Sequence, residues 1–155
     1  MRLHPKILIG LALLAVTCNS AIADVNRGSL LKDDEIDKAI GPHEPGYTGV
    51  ENLWGNNSCR WVAKHAPAQK APEGGRDSIE LAVFEGSMRS WAQDKVRGEP
   101  VSGVAKNARW DKTQAEMWFE CAGGRIGVVK VRTAASKLRQ DVATQLTRSA
   151  DGRLR

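Results

Sequence analysis

Four kinds of side chain in this sequence could do chemistry: three cysteines, three histidines, a few paired acids and five tryptophans. Cys59 and Cys121 lie in the body of the chain. In an oxidising compartment they allow a single pairing, whose closed loop of about 60 residues would contribute roughly 4 kcal/mol. The alternatives are two free thiols or half of a metal site. Neither His43 nor His65 sits at ligand spacing from a cysteine, so no metal is expected and the Cys59–Cys121 disulfide is the expected state. His43 and His65 fall in or beside loops and read as solvated. Glu116 and Glu120 share one side of an extended segment and could be imagined as a carboxylate pair, but an exposed strand face accounts for them more simply.

No nucleophile elbow, zinc-protease helix, phosphate loop or dinucleotide fingerprint occurs. Gly123-Gly124 lies between two extended segments and reads as a turn. A dispersed Ser-His-Asp site has no local context in its favour. No catalytic residue and no cofactor is therefore assigned. The tryptophans remain. Trp61 shares its strand face with Cys59 and reads as core, and Trp91 falls on the apolar stripe of a helix. Trp118 points opposite to Met117, Phe119 and Cys121, either under a helix or onto a binding face. Trp54 stands in a Gly/Asn-rich loop that offers no periodic burial. It is the first candidate contact for a partner and Trp118 the second. The competing reading of Trp54 is a plug over one end of the core.

The elements that must position these residues follow from periodicity. Ile36, Ala39 and Ile40 place a short helix after Asp33, with Gly41 and Pro42 as its stop. Alternation predicts strands over 58–65 and 78–84, with Cys59, Trp61 and Ala63 inward. Residues 66–76 read as a hairpin connection. The second strand carries Ile79, Leu81 and Val83 on one face and Ala82 and Phe84 on the other, which predicts cover on both sides. A helix is predicted over 85–96, with Met88, Trp91 and Ala92 buried. Strands follow near 107–111, 116–121 and 125–131, and a last helix spans about 134–150, with Leu138, Val142 and Leu146 as its stripe. Short connections favour antiparallel pairing. The expectation is an α+β fold: one antiparallel sheet of about five strands against two or three helices, in a single domain over 30–150.

The 155 residues, 41% hydrophobic and 26% charged, exclude a collagen-like or fully disordered chain. Arg2 and Lys6 precede an uncharged apolar run over 7–17, and Ala21-Ile22-Ala23 fits a small-x-small cleavage site. Residues 1–23 read as a signal peptide, too short in its apolar run to span a bilayer. Thr17 before Cys18 makes a poor lipid-attachment site. Cleavage would leave Asp24 first, residues 24–29 as a flexible N-terminus and 151–155 as a tail. The net charge of +5 would fall to +3 with the loss of Arg2 and Lys6. That excess is small for a nucleic-acid binder, and no nucleic acid is expected as partner. Charge is also divided: 24–51 carry seven acids against three bases, and 131–155 six bases against two acids. Either two helix faces attract within the fold, or a basic C-terminal surface meets an acidic partner.

One pattern runs through the chain: Leu30, Leu31, Glu35, Ile36, Ala39, Ile40 and Gly41, then Cys59 and Trp61, then Pro100, Val101, Gly103, Val104, Ala108 and Trp110. Over about 30–150 this order resembles a family of small exported lipoproteins of unknown function from high-GC Gram-positive bacteria. The sequence departs from it in lacking a good lipobox and a cysteine before the opening leucines. The resemblance implies export and an α+β fold and carries no catalytic residues over. The function expected is an exported, periplasmic or secreted, non-enzymatic binding module. Its partner would be a protein or a small molecule, and an inhibitor or immunity protein is one specific form. The alternatives are an accessory subunit of an envelope assembly and a hydrolase with a dispersed site.

Overall fold

The computed structural model describes residues 25–65, 75–133 and 139–155. The proposed signal peptide, most of the connection after the first strand and the start of the last predicted helix, Leu138 included, lie outside them. The described residues form an α+β fold: one antiparallel sheet of six strands and three α-helices. The strands are β1 (Ser58–Val62), β2 (Ser78–Phe84), β3 (Glu99–Pro100), β4 (Lys106–Asp111), β5 (Glu116–Glu120) and β6 (Ile126–Arg132). Their order across the sheet is β1-β2-β6-β5-β4-β3. The sixth strand beyond the predicted five is β3, a two-residue edge too short to show alternation. The helices are α1 (Asp33–Ile40), α2 (Ser87–Gln93) and α3 (Arg139–Arg153).

Period-two alternation assigns the two faces of this sheet. One face carries Trp61, Ile79, Leu81, Val83, Val129, Val131, Met117 and Phe119, all buried under α1 and α3. Ile36 of α1 and Ala143, Leu146 and Ala150 of α3 complete that core. Gly127 belongs to the same layer. A Cβ there would run into the Phe119 ring, so the missing side chain is what lets that ring lie against β6. On the opposite face Ala82, Phe84, Ile126, Val128 and Trp118 form a smaller core under Ala92 of α2 and the loop bearing Trp54. Cover on both sides explains why every residue of β2 is buried.

The acidic and basic ends of the chain meet. The Glu35 carboxylate accepts two hydrogen bonds from the Arg153 guanidinium, at 2.8 and 2.9 Å, and one from the Lys32 backbone N–H at 2.8 Å. Arg153 also donates to the Leu30 carbonyl at 2.7 Å. This clasp joins the N-terminus of α1 to the C-terminus of α3.

Several boundaries differ from expectation. Lys32, not Asp33, is the N-cap of α1, and Asp33 to Glu35 fill its first turn. Residues 25–29 do not form a free tail, because Arg27 donates to the Val83 carbonyl at 3.0 and 3.3 Å. Residues 151–153 continue α3, and Leu154 is buried against the main core. Helix α2 is shorter than predicted and buries Ala92 alone, leaving Met88 and Trp91 exposed. A two-turn helix lying over an already apolar sheet half can bury only a narrow stripe.

Candidate functional site

The second face of the sheet is apolar at the α2 end and charged at the other. Register places Arg60 opposite Glu80, Glu80 opposite Lys130, Lys130 opposite Glu116 and Glu116 opposite Asp111. Directly opposed residues share a face, so one charged row crosses β1, β2, β6, β5 and β4. Its centre is buried: the Lys130 and Glu116 side chains are 9% and 10% exposed, with Nζ and Oε1 3.0 Å apart. Glu116 Oε2 also accepts the Trp118 indole N–H at 3.0 Å. Glu116 is therefore not the exposed strand acid expected. Glu80 accepts the Ser58 hydroxyl at 2.6 Å and the Trp54 backbone N–H at 3.3 Å, which ties the Trp54 loop to the sheet.

A groove of about 660 Å³ opens above this row, walled by Leu53, Trp54, Trp91, Lys95 and Arg97 and floored by Glu116, Trp118 and Lys130. Lys130, Arg132, Thr113 and Gln114 also line a second hollow of about 330 Å³, which extends toward Tyr47 and Arg60. The β4–β5 turn forms the shared rim. Asp111 Oδ1 accepts the backbone N–H groups of Thr113 and Gln114 at 2.9 and 3.1 Å, and Ala115 adopts φ 54° to complete the turn. Short local bonds of this kind fix a rim that regular pairing does not reach.

The structure separates the predicted contacts. Trp54 is half-buried, edge-on to Phe84 and Trp118 with centroids 6.5 and 6.3 Å away. It plugs the smaller core with one side and walls the groove with the other. Trp118 is corrected as a contact residue. It is 3% exposed, stacked on Phe84 at 6.4 Å and held by Glu116. Trp91, read as core, is the exposed aromatic at 41%, with Lys95 Nζ 5.8 Å from its ring. A polar residue in an otherwise apolar strand was the available signal for the rest of the site. Glu80 in β2, Lys130 and Arg132 in β6 and Glu116 in β5 each break the pattern toward the same end of the same face.

The expected disulfide is absent, and Cys59 and Cys121 are both free and buried. Strands β2 and β6 stand between β1 and β5, which at ~4.8 Å per strand puts the two about 14 Å apart across the sheet. A bridge requires Cα atoms within about 7 Å. Burial pushes the Cys59 thiol up to about 11 and the Cys121 thiol up to about 12. His43 is corrected too. Its side chain is 6% exposed, with Nδ1 2.9 Å from Asp37 and Nε2 3.5 Å from Asp33, so it packs against α1 rather than facing water. Among the described residues no cluster of His, Cys, Asp and Glu could hold a metal, and no helix is long and apolar enough to cross a membrane.

No family model matches the chain, and neither a curated protein nor a solved structure does.

Proposed function

We propose that this chain is an exported, non-enzymatic binding module and that the groove on the second sheet face is its contact surface. One observation carries the reading: a sheet face that is packed at one end is left open at the other, over a nearly buried Lys130–Glu116 pair. Packed apolar residues of similar size would serve stability as well as a buried ion pair or better. The pair therefore fits a role in recognising something laid over it. Trp91 supplies the exposed aromatic that interface anchors favour. The apolar run and Ala21-Ile22-Ala23 at the start of the sequence support export to the periplasm or medium. Inhibition or immunity toward an envelope enzyme is the most specific form of this function. A second reading, an accessory subunit of an envelope assembly, draws on the exposed apolar side chains Val50, Leu53 and Met88, of which Leu53 lines the groove.

The test compares wild type with Trp91→Ala and Leu53→Ser as immobilised bait in extract from the exported fraction. The expected result is a partner, identified by mass spectrometry, that is retained by wild type and lost by both variants while their melting temperatures hold. The protein recovered from that fraction should begin at Asp24. Equal retention by all three baits would remove the groove as contact surface, and an intact N-terminus would remove export.

A further inference from the structure

The groove on the second sheet face is charged without being one-sided. Register sets Lys130 between Glu80 on β2 and Glu116 on β5, so the row beneath the groove changes sign at each of these steps. The Lys130 ammonium gives one of its three donors to Glu116 Oε1 at 3.0 Å. Glu116 Oε2 accepts the Trp118 indole N–H, and each carboxylate oxygen keeps a further lone pair. Lys130 and Glu116 both line the groove. An anion laid there meets Glu116 and Asp111, and a cation meets Lys130, Lys95 and Arg97. A lining that carries both signs concentrates neither. A hydroxyl group is different, because it donates and accepts through one atom. It can accept a hydrogen bond from Lys130 Nζ and donate one to Glu116. Thr113 and Gln114 on the rim add side chains that likewise donate and accept.

The wall beside this floor is aromatic. Trp91 is 41% exposed and tilted against Phe84 with centroids 5.4 Å apart, so the ring is steadied from one side while it lines the groove. Lys95 Nζ stands 5.8 Å from its centroid. A ring face that holds an ammonium attracts electropositive groups, and the C–H face of a sugar ring is one. Lys95 is itself exposed, and its long side chain can swing aside. A polypeptide fits the floor less well. Strands β6 and β5 each pair with neighbours on both sides, so they offer no free ladder of backbone groups for a peptide to extend. The groove, about 660 Å³, falls in the range of roughly 300–1,000 Å³ usual for small-ligand sites.

We infer that the groove holds a neutral saccharide, with one ring stacked on Trp91 and its hydroxyls shared between Lys130 and Glu116. The inference rests on the groove being the contact surface, and it adds the chemical class of what binds there.

The probe is an array of neutral hexose and N-acetylhexosamine oligosaccharides, with sulfated and sialylated chains as charged comparisons. Calorimetric titration of the best-retained neutral glycan then gives its affinity. Neutral chains should be retained, and their affinity should barely change with sodium chloride, because a ligand without charge is not screened. Trp91→Ala should weaken binding on the order of tenfold, and Trp91→Phe only severalfold, since phenylalanine keeps a stacking ring. If Trp91→Ala unfolds, Gln114→Ala on the exposed rim should weaken binding severalfold while Trp91→Phe retains it. Retention of no neutral chain or of charged chains alone overturns the inference, as does affinity that falls steeply with salt. Equal binding by wild type and a folded Trp91→Ala overturns it too. A partner still captured after enzymatic deglycosylation, with no array binding, puts a peptide in the groove instead. If no glycan binds while capture still depends on Trp91, the saccharide falls and the groove stands. If capture is also insensitive to Trp91, both fall.

Discussion

Glu35 takes three hydrogen bonds at the junction of α1 and α3, and the Arg153 guanidinium beside it lowers its carboxyl from 4.5 to about 2. A carboxylate depressed in the folded state stabilises above its unfolded value and loses that contribution as pH falls through the folded one. The clasp should therefore act fully above about 4.5 and fade between there and about 2. The pair is partly solvated, so its contribution is about 1 kcal/mol rather than the full equivalent of the shift. Glu35→Gln should lower stability at neutral pH by about that amount. The same substitution should flatten the pH dependence across this window. Denaturant titrations of both proteins at several pH values measure the effect, and parallel curves would remove Glu35 from the account.

At the scale of elements, the second sheet face explains why two tryptophans exchange their expected roles. Helix α2 has only two turns, and Ala92 is the one residue it buries. Trp91 therefore stays at the surface, while the loop ahead of β1 folds Trp54 over Phe84 and Trp118. Truncating Trp54 removes two edge-to-face contacts and half of a large ring's burial. Trp54→Ala should cost about 2–3 kcal/mol, below the roughly 3–5 kcal/mol typical of a fully buried aromatic. Trp91→Ala should cost about 1 kcal/mol, less than Trp54→Ala, because its more exposed ring keeps a single ring contact, with Phe84 at 5.4 Å. Paired urea unfolding curves decide it. A Trp54 variant as stable as wild type would make that residue purely a contact, and an unstable Trp91 variant would return it to the core.

The whole sheet decides the fate of the cysteines. Both side chains are buried in the main core, yet β2 and β6 separate them, and burial raises both thiols far above neutral pH. Thiolate is the reactive form. In the native protein both cysteines should resist iodoacetamide, and both should react once it is unfolded without reductant. A Cys59–Cys121 linked peptide recovered after non-reducing digestion would require a different sheet order. A domain with this arrangement gains its stability from a doubly covered sheet rather than from a covalent staple.

The amino-acid sequence by itself determined which stretches are extended, which helical, and which side chains alternate together. Ser78–Phe84 coincides with its predicted strand because β-branched and apolar residues at period two specify a pleat locally. Helix α1 was legible from Ile36, Ala39, Ile40 and the Gly41 stop, and α+β architecture followed from the order of elements. Only the tertiary structure decided that β6 inserts between β2 and β5, since pairing partners far apart in sequence leave no local trace. That one choice parts the cysteines and aligns Glu80, Lys130 and Glu116 in a row. Alternation states that Trp118 opposes Met117 and Phe119, but not what covers it. The cover comes from Trp54, whose loop is held by Glu80 on a neighbouring strand. The open groove is set by which half of a sheet its helices leave bare, and that depends on how layers stack rather than on any single segment.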